Sequence, residues 1–167
     1  MRNTLPLLFC LALLSGCTSL VKGSIALSVR DYDTAIGHYA QAVKDDPESL
    51  YARNRLGLAY FSKGDYAKAI EVFDAVLAKK PNETFATFHL CMSLIGKGDR
   101  EAGFKRLAKY SKDFGAVQER YVRQEAARLA GHPDLSAQEI FTALKEAEEL
   151  GIIEQYHADH PDPGNRD

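Results

Sequence analysis

Tryptophan is absent from the 167 residues, so aromatic packing falls to eight Tyr and eight Phe. A charge excess of either sign is missing as well. The formal net charge is -2, and setting aside the +1 of Arg2 leaves the remainder near -3. Nucleic-acid binders usually carry a strong basic excess, so no nucleic-acid partner is expected. Cysteine is scarce: Cys10 lies in an N-terminal apolar run, Cys17 ends it, and only Cys91 belongs to the body. One body cysteine cannot form an internal disulfide, and no Cys/His cluster has zinc spacing. There is no phosphate loop, dinucleotide fingerprint or nucleophile elbow. These absences speak against an enzyme, a cofactor or a small-molecule substrate, and leave packing as the source of stability. Hydrophobic residues at 46% and charged residues at 26% suit one globular domain of this length.

The N-terminus has the layout of an address. Met1-Arg2-Asn3 is followed by Leu5, Leu7, Leu8, Phe9, Leu11, Ala12, Leu13 and Leu14, a basic start and a short apolar stretch. The run is shorter than the roughly 20 residues that span a bilayer, which disfavours a retained transmembrane helix. Leu14-Ser15-Gly16-Cys17 resembles the bacterial lipobox, in which signal peptidase cuts before a cysteine whose thiol carries a diacylglyceryl group. The resemblance implies a signal peptide at 1–16, covalent lipid on Cys17 and no other cofactor. Thr18, rather than Asp, follows the cysteine, which in that family favours the outer membrane, facing the periplasm. The alternative is an ordinary secretory signal cut near Ser15 or Ser19.

The body repeats itself. Setting Pro47 against Pro81 gives a period of 34, and Asp31, Asp65 and Asp99 fall into line. So do Ala35, Ala69 and Gly103, and Tyr39, Phe73 and Leu107. The second unit carries Leu56-Gly57, Tyr60, Gly64-Asp65-Tyr66, Ala69, Phe73 and Pro81 at the spacing of the tetratricopeptide repeat, which it resembles. Small residues at Gly57 and Ala69 let two helices press together, and Gly64 can take the positive φ that ends the first. Asp65 can cap the next helix, and Pro81 stops it. The third unit drifts, with Cys91 for Gly, Arg100 for the aromatic and Gly115 for Pro. The expected architecture is all-α: a right-handed tetratricopeptide-type helical-hairpin solenoid with C-terminal capping helices. Three repeats are placed at 17–116 and capping helices at 117–155. The first cap is expected over Val117–Ala130; the second opens at a capping box, Ser136 to Glu139, and runs to Leu150. Residues 156–167, rich in Asp, Pro and Gly, read as a disordered tail.

The family binds extended peptides or helices on a concave face. In its register the second unit presents Tyr51, Asn54, Leu58 and Phe61 there, and the third Phe85, Phe88, Met92 and Ile95. The amide of Asn54 both donates and accepts, and the apolar residues suit a partner's apolar side chains. The competing reading makes some of these side chains core beneath the C-terminal helices. The two-carboxylate clamp with which related domains hold chaperone C-termini is missing, since Leu20 and Ser24 stand at its first-repeat positions. His38, His89, and the pair His157 and His160 read as structural or solvated rather than metal ligands. Leu20, Val21, Ile25, Leu27 and Val29 make the first helix apolar, either because it packs on its hairpin partner or because it lies on a bilayer.

The function these features imply is a membrane-anchored scaffold for envelope proteins, assisting assembly or docking of a pilus or secretion complex. Pilotin-like and tight-adherence-pilus lipoproteins are the similar groups. A structural subunit of an envelope complex, or an adaptor for peptidoglycan enzymes, is the alternative.

Overall fold

The computed structural model describes residues 18–110 and 116–160. Among them eight helices and no strands occur: α1 at 18–28, α2 (Tyr32–Asp45), α3 (Leu50–Lys63), α4 (Tyr66–Lys79), α5 (Thr84–Lys97), α6 (Arg100–Leu107), α7 (Ala116–Ala130) and α8 (Ala137–Asp159). The all-α class expected from the repeat is the one observed. The chain divides into two compact units, Met1–Lys79 and Lys80–Asp167. This division falls inside the expected three-repeat block of 17–116, so the third repeat shares a unit with the C-terminal helices. The reason is α5: Phe88, His89, Leu90, Cys91, Met92, Ser93 and Ile95 are all buried, and so apolar a helix needs cover on several sides.

In the first unit the hairpins α1–α2 and α3–α4 close by the same device. A β-carbon on Gly23 would stand 2.7 Å from the Tyr39 ring, and one on Gly57 would stand 2.6 Å from the Phe73 ring. Each aromatic of the second helix thus lies directly on the bare backbone of the first. Tyr39 also sits in a core with Ala26, Ala35 and Ala59, over which Leu20, Leu27, Ile36 and Leu56 pack. Its hydroxyl meets Ser24 Oγ at 3.1 Å.

The turns between paired helices repeat bond for bond. Gly64 (φ 84°) and Gly98 (φ 103°) end α3 and α5 in the left-handed conformation. The Gly64 N–H donates to Phe61 O and the Asp65 N–H to Tyr60 O; the Gly98 N–H donates to Ile95 O and the Asp99 N–H to Leu94 O. The aspartates then cap the next helices, Asp65 accepting from Lys68 N at 3.3 Å and Asp99 from Ala102 N at 3.1 Å. A short ion pair and hydrogen bond to Lys68 hold the Asp65 carboxyl below its ordinary range. In the first hairpin the bonds are the same, Arg30 N to Leu27 O and Asp31 N to Ala26 O, but the left-handed residue is Arg30 at φ 61°. A side chain in that conformation costs about 1 kcal/mol. Arg30→Gly is therefore expected to raise the stability of the first unit by ~0.5–1 kcal/mol in urea denaturation; unchanged or lower stability would show the strain to be relieved elsewhere.

The second unit departs from the repeat in compensating ways. Cys91 adds bulk where the first two repeats have Gly, while Gly103 and Leu107 are smaller than their counterparts. A β-carbon on Gly103 would meet Ile95 Cγ1 at 2.5 Å and the Cys91 carbonyl at 2.9 Å, so that site has no room for the alanine of the other repeats. Arg100, where the others have Tyr, donates to Leu135 O at 2.6 Å and His132 O at 2.9 Å and so holds the α7–α8 loop. α6 ends at Leu107, where tight turns carry Tyr110 into the core, 1% exposed. Val122, Ala126 and Leu129 of α7 and Ile140, Phe141, Leu144 and Ala147 of α8 complete that core.

The expected capping box is present: Ser136 N donates to Glu139 Oε2 at 2.7 Å and Glu139 N to Ser136 Oγ at 3.3 Å. Those bonds keep the Glu139 carboxyl below its usual range. α8 does not stop at Leu150. Gly151 lies against the backbone of Gln118, and Gln155 accepts from Val117 N at 3.3 Å, which keeps the helix on α7 and carries it to Asp159. Tyr156, His157, Ala158 and Asp159 are thus helical, where the composition suggested tail; 161–167 lie outside the described residues.

Candidate functional site

The four candidate residues of the second repeat lie on α3. Tyr51 is 60% exposed, while Leu58 and Phe61 are partly buried. Phe61 packs on Tyr66 with ring centroids 5.7 Å apart. Asn54 is only 8% exposed, and its Oδ1 has no hydrogen-bond partner among the described residues. A buried acceptor left unpaired costs roughly 1–3 kcal/mol, so such groups persist where something is to be bound or where water fills the role. Asn54 shares its helix face with Tyr51, Leu58 and Phe61, at i-3, i+4 and i+7. Tyr51 also borders an open hollow of about 500 Å³ with Leu20, Val21, Ser24, Ile25 and Ser28 of α1.

The third-repeat residues behave differently. Phe88 is fully buried, Met92 and Ile95 are each 2% exposed, and only Phe85 is partly exposed. Phe88 meets the Tyr110 ring at 5.9 Å, and Ile95 lies over Gly103. α5 packs on both α6 and α8. These three side chains are core and form no groove wall, because the apolar stripe of α8 needs a surface to cover. The i, i+4, i+7 spacing places them on one face but is the same whether that face is open or covered.

The remaining candidates resolve into structure. His89 Nδ1–H donates to Phe85 O at 3.0 Å and its ring stacks on Phe85 at 4.0 Å. His160 stacks on Tyr156 at 4.5 Å, with His157 edge-on to the same ring. Among the described residues no three His, Cys, Asp or Glu gather as a metal site would require. Burial pushes the Cys91 thiol up to about 12, so it is protonated and unreactive at neutral pH. Burial likewise raises the Tyr110 phenol. Among the described residues no helix is long and apolar enough to cross a membrane. Cys17 lies outside the described residues.

Paired helices joined every 34 residues by a left-handed residue and a capping Asp (Arg30-Asp31, Gly64-Asp65, Gly98-Asp99) define a helical-hairpin repeat fold. Residues 20–84 match the family model of the tetratricopeptide repeat, a protein-binding architecture. The Hsp70-Hsp90 organizing protein of Triticum aestivum is 32% identical over 114 residues, which cover 67% of this chain; the chain spans only 18% of that relative's length. The Sgt2 TPR domain from Aspergillus fumigatus shares the fold with a TM-score of 0.54 at 19% sequence identity, over 91% of this chain and 87% of that one.

Proposed function

We propose that this chain is a membrane-anchored protein-interaction scaffold of the bacterial envelope. It is an outer-membrane lipoprotein, facing the periplasm, that assists assembly or docking of a pilus or secretion complex. The observation that carries the reading is the Leu14-Ser15-Gly16-Cys17 motif closing a short apolar run directly before a protein-binding repeat. Lipid on Cys17 is the anchor, and the α3 face with Tyr51, Asn54, Leu58 and Phe61 takes an extended segment of the partner. The chain works by binding, with no catalysis and no cofactor beyond the lipid. Leu20 and Ser24, at the clamp positions, offer no charge to a partner's C-terminal carboxylates.

Mass spectrometry of the protein from membranes, beside Cys17→Ala, tests the anchor. Each acyl methylene adds about 0.8 kcal/mol of membrane affinity, so two or more chains hold essentially all of the protein. Acyl mass on an N-terminal Cys17, with the variant moving to the soluble fraction, is the expected result. An unmodified N-terminus, or a variant that still sediments with membranes, would overturn the lipoprotein reading and leave an exported repeat protein.

A further inference from the structure

The first helix presents an apolar face that none of the described residues covers. Leu27 and Leu20 turn inward onto the Tyr39 core, yet Val21 is 59% exposed, Ile25 61% and, in the turn that follows, Val29 68%. Their spacing of four sets them in one row. Between residues 18 and 30 there is no carboxylate, whereas Lys22 and Arg30 are both exposed cations. Arg30 is also the strained residue, left-handed where the corresponding turns carry Gly64 and Gly98. Strain of that kind persists where the side chain has a use beyond the fold.

Thr18, the residue after Cys17, is already helical, and the row starts four residues along the chain from the position that carries lipid in the proposed function. At 1.5 Å of rise per residue, Val21 stands only ~4.5 Å along the axis from Thr18 and Ile25 ~10.5 Å. We propose that the face formed by Val21, Ile25 and Val29 lies in the surface of a phospholipid bilayer, with Lys22 and Arg30 on the lipid phosphates. The inference rests on the lipoprotein reading and deepens it: the lipid is the anchor, and the helix face sets the orientation. An apolar row with basic residues at its margin is the pattern of a helix lying in the interface plane. The long side chains of Lys22 and Arg30 let their charges reach the phosphates while the valines and isoleucine enter the acyl boundary. The first hairpin would be fixed on the membrane rather than swinging from its anchor.

The test uses full-length acylated protein, with the Cys17 modification confirmed by mass, in vesicles of phosphatidylethanolamine and phosphatidylglycerol. A fluorophore is placed on Ile25→Cys or, as a control on α4, on Asp74→Cys. The buried, protonated Cys91 and an acylated Cys17 leave the new thiol as the one that labels. Brominated acyl chains are expected to cut the emission at position 25 about two-fold and leave position 74 unchanged. Equal emission at position 25 with and without bromine, in protein of confirmed acyl mass, would overturn the membrane-lying face while the anchor stands. Emission at position 25 that follows protein concentration and ignores bromine would assign the face to a second copy and also overturn it. Absence of acyl mass would remove the anchor reading and this inference together.

Discussion

Gly151→Ala is expected to destabilise the second unit by about 2 kcal/mol, although helix propensity alone says the opposite. In a helix interior alanine is better than glycine by ~1 kcal/mol. Gly151 lies eight residues inside the end of α8, where that gain applies in full. The site has no room for it. A β-carbon there would stand 2.5 Å from Gln118 Cα and 3.1 Å from Gln118 Cβ and Cγ. A clash with the tip of a side chain can be relieved by a change of rotamer, but a clash with Cα moves the whole of α7. Overpacking costs 1–3 kcal/mol or more, and a backbone contact belongs at the upper end. Sterics therefore win. Parting the helices also weakens the bond from Val117 N to Gln155, which holds the last turns of α8. Gly37→Ala is the control: it lies within α2 with nothing within 4 Å of its β-position, so there the propensity gain should appear unopposed. Urea denaturation of both variants, with amide exchange on α7 and α8 to localise the loss, checks the pair. A Gly151→Ala protein as stable as the parent would mean that α7 and α8 do not approach this closely.

The repeat was legible because its parts are chemically forced. Asp65 and Asp99 had to be capping residues, and Gly64 and Gly98 had to sit at left-handed turns, since few other residue types serve there. Arg30 was not legible as their equivalent. It breaks the glycine rule, and only the backbone shows that the turn is kept at the cost of strain. Boundaries set by tertiary contact were hidden as well. Nothing in Gly151-Ile152-Ile153 says that the helix continues; the contact with Gln118 does. Of the candidate face, the helical placement was legible and the burial was not. Tyr51, Asn54, Leu58 and Phe61 share one face of α3 as the spacing required. Phe88, Met92 and Ile95 share a face of α5 equally well, but other helices of their own unit cover that face. Helical spacing reports which residues stand together and is silent on whether solvent reaches them. Asn54 was legible as a polar residue on that face, but its burial, with Oδ1 unpartnered among the described residues, was not.

The hairpin seam makes a sharper prediction, because the protein contains its own second solution. Gly57→Ala is expected to cost about 2 kcal/mol, since the new carbon would stand 2.6 Å from Phe73 Cε1 and 2.7 Å from Cζ, and Phe73 is fully buried. Phe73→Leu alone is expected to cost ~1–2 kcal/mol for the space it leaves. If the two positions are one packing unit, the double variant should cost at least ~1 kcal/mol less than the sum, because the leucine vacates the volume the alanine needs. The third repeat already has this arrangement, with Cys91 and Leu107, both fully buried, at the positions of Gly57 and Phe73. A double-mutant cycle in urea, with the slope checked for constancy, measures the coupling. Additive costs would show that Phe73 moves aside without help from its own truncation. The drift of the third repeat away from glycine and aromatic would then need a cause other than the exchange of volume across the seam. A clear coupling would establish that the repeat conserves the summed volume at this contact rather than the residues themselves. That rule would explain why a family pattern read residue by residue fades at Cys91 while the fold does not.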